Sequence, residues 1–198
     1  MDLRKEYKKS YEFLKSEKKL LLIIGLALIS IIAISTIYNY LTYKPIIESK
    51  ESAQEFSEFY RSIIFKDTFI GNFWMIFSHN IVAALVIIIS GVILAIAPIY
   101  YTINMGLKTG YILIYTTIED GFIKLVYLWL PQSIIETPIF ALSGALGILG
   151  FMTILDKKRR RGIKEYYKNI LRVFMLVIVP ALLIAAIIES AGIMLYWF

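Results

Sequence analysis

The chain has 198 residues, 59% of them hydrophobic, with no cysteine and a formal net charge of +6. The lack of cysteine excludes disulfides, thiol nucleophiles, haem attachment and thiolate metal sites, and the long uncharged apolar runs exclude an ordinary soluble domain. The basic excess reads as contact with anionic lipid and as orientation of membrane helices, not as a nucleic-acid surface.

Residues 1–19 hold seven Lys or Arg, with Leu3, Tyr7, Tyr11 and Leu14 at helical spacing. This predicts a basic cytoplasmic tail with a weak amphipathic face. Residues 20–40 (LLLIIGLALISIIAISTIYNY) carry no charge and meet by themselves the requirement of about 20 apolar residues for a spanning helix. A cleaved leader is not expected, because this run is too long for one and no A-x-A site follows. Residues 42–72 hold four basic and five acidic residues. Within them Ala53, Phe56, Phe59, Tyr60, Ile63 and Ile64 recur opposite Glu51, Glu55, Glu58 and Arg61, which predicts an external amphipathic helix near 46–65.

A second span is expected over 77–101, carrying His79, Asn80 and Gly91, with a turn at 104–106 and a third helix from Leu107. The stretch 107–118 is only about 18 Å of helix, short of a ~30 Å hydrocarbon core. Glu119, Asp120 and Pro131 mark a break, so 119–131 is re-entrant, interfacial (Tyr127 and Trp129 suit headgroups) or part of a continuous helix. The fourth span, 132–154, begins with Gln132 and Glu136 on one face, passes the potential kink at Pro138, and continues into ALSGALGILG. There Gly144, Gly147 and Gly150 allow close approach of another helix. Residues 156–172 hold eight Lys or Arg, a basic cytoplasmic loop. A last span over 173–195 carries Glu189, which is either a buried polar group or reaches the external headgroups. Trp74, Tyr100, Trp129 and Trp197 fall near span ends, as aromatic belts do.

The expected fold is therefore all-α: a polytopic transmembrane helical bundle of about five spans, N-terminus inside and C-terminus outside. Residues 1–198 form a single integral membrane domain, since each polar segment is too small to enclose a core of its own. The candidate intramembrane polar site is His79, Asn80, Gln132 and Glu136, because an ionisable group at the bilayer centre costs at least ~3 kcal/mol and must pair or face water. Helix packing is assigned to Gly91, Gly106, Gly110, Gly144, Gly147 and Gly150.

An enzyme is not expected. There is one histidine and no H-E-x-x-H. The pair Ser143 and His79 occurs in the wrong chain order for a rhomboid-type protease, and no phosphate-binding or dinucleotide motif is present. No cofactor or metal is implied.

The motifs SHNIVAAL, SGVILAIAP, the G-x-x-x-G of Gly106 and Gly110, and Pro131-x-x-x-x-Glu136-x-Pro138 ahead of a small-residue helix lie between His79 and Gly150. In these the chain resembles the SpoIIM family (stage II sporulation protein M and its relatives), whose corresponding element reads P-H-G-x-x-E-x-P. Here Gln132 stands where that family has histidine, and Ser133 where it has glycine. The resemblance implies a multispanning membrane protein of about five helices. The sporulation member is a scaffold that holds two cell-wall-degrading enzymes at the septum. The expected function is thus a non-enzymatic scaffold in the cell membrane, a homodimer in contact with lipid and with other membrane or envelope proteins, but not nucleic acid. The alternative is a small homo-oligomeric channel or transporter built on Glu136, Asn80 and His79.

Overall fold

The computed structural model describes residues 2–47, 68–119, 130–156 and 162–197. All its regular elements are helices: α1 (Leu3–Ser16), α2 (Lys18–Ile47), α3 (Phe69–Ile93), α4 (Ala97–Glu119), α5 (Leu130–Leu155), α6 (Ile163–Val173), a single π-helical turn (Phe174–Ile178) and α7 (Val179–Trp197). The expected external helix near 46–65, the segment 120–129 with Asp120, and the basic run 157–161 lie outside the described residues.

Among the described residues four helices are long and apolar enough to cross a membrane: Lys18–Thr42, Phe69–Ile93, Leu130–Leu155 and the continuous rod Ile163–Leu195. The expectation was about five. The remaining candidate, α4, has the length, about 34 Å at 1.5 Å per residue, but Thr102, Asn104, Lys108 and Thr109 make it less apolar than the others.

Helix ends follow local chemistry. Asp2 caps α1 by accepting from the Lys5 N–H at 3.4 Å, and Thr68 caps α3 by accepting from the Gly71 N–H at 3.1 Å. The expected second span, 77–101, is corrected: α3 starts and stops eight residues earlier, and the chain turns at Leu94 to Ile96. The cause is Pro98. Inside a continuous helix its ring would clash with the carbonyl four residues before it, whereas in the first turn of α4 its missing N–H costs nothing. The expected turn at 104–106 accordingly lies inside α4, and the apparent shortness of the third helix disappears. Pro131 likewise sits in the first turn of α5. Pro138 is inside that helix, which continues unbroken to Leu155. The basic loop is partly helical, since α6 begins at Ile163. The π turn directly precedes Pro180, where a wider turn relieves the same carbonyl clash.

The helices pack in two pairs of parallel neighbours. Gly106 meets Ile32 and Ser35 while Gly110 meets Thr36 and Asn39, so α2 and α4 run in the same direction. Gly91 meets Gly147 while Asn80 meets Glu136, so α3 and α5 also run together. The last rod is antiparallel to α3: Ile76 packs against Ala186 and Ile193. The main core lies between α3, α5, the π turn and α7, where Ala84, Ala145, Leu146, Leu149, Ile178 and Leu182 are completely buried.

At the basic end α1 lies against α6. Phe13 meets Tyr166 edge to face at 5.1 Å, and Arg172 donates to Glu6 at 2.5 Å, to Glu165 at 2.7 Å and to Asn169 at 2.6 Å. The two basic segments are therefore held at the same end of the bundle. Ser10 and Phe13 form the buried side of α1; of the stripe read from the sequence, Leu14 packs against the core while Leu3, Tyr7 and Tyr11 stay uncovered by protein.

Candidate functional site

Two glycine contacts set how closely the helices approach. A Cβ on Gly147 would lie 2.9 Å from the Ile88 carbonyl oxygen and 3.0 Å from Gly91 Cα, so α3 and α5 touch backbone to backbone. On the α2–α4 side a Cβ on Gly106 would run into the Ser35 hydroxyl and come within 2.5 Å of the Ile32 carbonyl oxygen. That approach lets α2 side chains reach the α4 main chain: Thr36 Oγ1 donates to the Gly106 carbonyl at 3.1 Å and Asn39 Nδ2 to the Leu107 carbonyl at 2.6 Å. Gly144 and Gly150 receive Leu28 and Val92 in the same way. All six glycines singled out from the sequence lie at helix contacts.

The same close packing of α3 and α5 juxtaposes polar groups toward the other end. Asn80 Nδ2 donates to Glu136 Oε1 at 2.6 Å. One turn before Glu136 on the same face of α5 is Gln132, 2% exposed, whose Oε1 has no hydrogen-bond partner. Beside Glu189, Ser190 is 0% exposed and its Oγ is also unpartnered. Ser190 lies between Ala186 and Ile193 on the face of α7 that meets α3. Asn80, Gln132 and Glu136 thus form one polar layer where α3 meets α5.

His79 is not part of this layer. It points out from the exposed side of α3, next to Ser78. Nor does it meet Ser143, which is buried and donates to the Ile139 carbonyl of its own helix at 2.9 Å. Of the four expected polar-site residues, three come together and one does not. Glu119 ends α4, and Pro131 opens α5.

Sequence reasoning missed Asn39. Glu189, a candidate buried group with the headgroups as the other reading, is half-buried in the bundle. Asn39 was hidden by the purely apolar reading of 20–40.

Inward of Glu136 the bundle is closed. Ala84, Ala141, Ala145, Leu146, Ile178 and Leu182 fill the layers beneath it. Gln132 is only two residues from the start of α5, so the polar layer lies close to that end. A further polar feature faces away from the bundle: on α4, Lys108 is exposed and Asn104 half-exposed, with the Asn104 amide donating to the Tyr100 carbonyl at 2.9 Å.

A family model described as Stage II sporulation protein M matches residues 20–191. No curated protein and no solved structure matches the chain.

Proposed function

The chain belongs to the SpoIIM family, and from that premise we propose that it is a non-enzymatic, multi-pass scaffold of the cell membrane that assembles with itself and with partner proteins. The observation that carries this reading is the outward face of α4. Leu107 is level with Asn39, so Lys108 and Asn104 lie about 6 and 12 Å inward of the level of Lys44, the first charge beyond the apolar run of α2. In lipid an uncovered lysine or amide at such depth is unfavourable by up to ~3 kcal/mol. A second copy laid against α4 supplies protein contacts in place of lipid. The basic ends of α1 and α6 on one side support an orientation with that end in the cytoplasm and the C-terminus outside.

The channel or transporter reading is favoured by one observation, the half-buried acid Glu136 bonded to Asn80 between α3 and α5. Against it stands the closed packing beneath that pair, which leaves no polar path across among the described residues. The two readings differ under Glu136→Gln. The scaffold predicts weaker assembly or stability and no change in ion flux through liposomes; an assembled variant with altered conductance would favour the channel. Affinity purification of crosslinked protein from native membranes tests the partners. Stoichiometric recovery of another membrane or envelope protein supports the scaffold, and recovery of the chain alone removes partner holding from its function.

A further inference from the structure

We propose that the uncovered face of α1 is a docking surface for anionic phospholipid of the inner leaflet, which makes this helix a surface anchor. The argument is independent of self-assembly and starts from the order of side chains around α1. At about 100° per residue, Leu3, Leu14, Tyr7 and Tyr11 follow one another over about 80° of arc, beside the side that Ser10 and Phe13 bury. Leu14 packs on the core, while Leu3, Tyr7 and Tyr11 are 57%, 51% and 65% exposed. The next part of the circumference holds Arg4, Lys15 and Lys8, all exposed. Glu12 beyond them stands 3.9 Å from Lys8, so three cations against one acid leave that flank positive. A stripe of leucine and tyrosine edged by cations suits the boundary between headgroups and acyl chains. The rings and the leucine enter the chains, and the long basic side chains reach the phosphates. The height of α1 selects lipid over a soluble protein. Arg172 is the last charge before the uncharged run 173–188, so it stands where the hydrocarbon begins. Its Nε donates to Glu6, and Leu3 and Tyr7 lie within about one turn of Glu6. On the same rod Leu171 and Met175 are exposed on either side of that level. The stripe is thus held at the membrane boundary, where a soluble protein would have to displace lipid to reach it.

The test uses the full-length protein in lipid nanodiscs of phosphatidylcholine, alone or mixed with phosphatidylglycerol. Tyr7→Cys, Tyr11→Cys and, away from the stripe, Lys5→Cys are each labelled with an environment-sensitive fluorophore. Quenching by nitroxide-bearing lipid is compared with quenching by iodide in the water. In the anionic discs the lipid quencher should act roughly twofold or more strongly on the labels at Tyr7 and Tyr11 than at Lys5. That difference should shrink in phosphatidylcholine alone and at high salt, which screens the basic flank. Adding Arg4→Gln, Lys8→Gln and Lys15→Gln to the Tyr7→Cys protein should lower its quenching in anionic discs to the level seen without phosphatidylglycerol. The proposal is overturned if the three labels are quenched alike by lipid, or if neither anionic lipid nor salt changes the difference. It is equally overturned if the stripe labels are shielded from iodide yet untouched by the lipid quencher, since protein then covers them.

Discussion

At the scale of single residues, the molecule depends on a few positions where one atom decides whether helices meet. Gly147 is one: an added methyl would press on the Ile88 carbonyl and Gly91 Cα, both main chain and neither able to rotate away. Gly147→Ala should therefore force α3 and α5 apart and destabilise the protein by about 1–3 kcal/mol, as overpacking does. Gly25→Ala is the matched control, because nothing lies within 4 Å of its Cβ position. That change should be neutral, or stabilising by up to about 1 kcal/mol through helix propensity. Thermal melts of both variants in one detergent check the pair, and equal shifts would mean that glycine contact does not set the α3–α5 packing. Asn80 works by chemistry instead. Asn80→Ala removes the amide that donates to Glu136, and interhelical bonds of this kind contribute roughly 0.6–2 kcal/mol. Unfolding titrations should show a loss in that range; an unchanged midpoint would mean the bond is not made in the folded protein.

At the scale of elements, α1 is held to the bundle by a small set of contacts around Glu6, Phe13 and Arg172. The Lys9 ammonium, and then the Arg172 guanidinium, hold the Glu6 carboxyl below its ordinary value of 4.5. An acid lowered on folding stabilises the contact fully above its unfolded pKa and loses that contribution as pH falls through the folded one. Hydrogen exchange, corrected for intrinsic rates, should thus show α1 protected near neutral pH and progressively exposed below pH 4.5. Arg172→Ala should lower that protection already at neutral pH. Equal protection of α1 in the wild type at both pH values would show that Glu6 is not part of its anchoring. Elements also show how far the sequence could be read. The span 20–40 was legible because charge bounds it at Lys19 and Lys44. The α3–α4 boundary was not, because residues 81–101 are uncharged throughout and the turn is made of Leu94, Ala95 and Ile96. Pro98 was the only available marker, and Pro180 similarly marked the π turn. The Asn80–Glu136 pairing was legible from depth alone, since both were expected near the same end. Which face of the last helix meets the bundle was not legible, because a nearly uniform apolar helix does not disclose its own rotation.

At the scale of the whole molecule, the polar groups are distributed unevenly. The half toward the basic end is filled by small and aliphatic residues, and the opposite half gathers Asn39, Asn80, Lys108, Gln132, Glu136, Glu189 and Ser190. In a family member read as a scaffold, that division has a use: the closed half fixes the bundle, and the polar half presents groups that need partners. Within the chain the side-chain amides of Asn39 and Asn80 donate to Leu107 and Glu136, although Asn39 Oδ1 has no partner. Such needs are not met on the outer face of α4. That face is where a second copy would lie, and the cysteine-free sequence lets single cysteines report on it. The measurement is disulfide crosslinking in native membranes of single-cysteine variants at Tyr101, Asn104 and Lys108 on α4, with Ile37 on α2 and Val82 on α3 for comparison. Self-assembly through α4 predicts efficient dimer formation from the α4 positions and little from the other two, although Ile37 and Val82 are 57% and 58% exposed in the single chain. Crosslinking that is absent from α4, or no stronger there than at Ile37 and Val82, would contradict self-assembly through this helix.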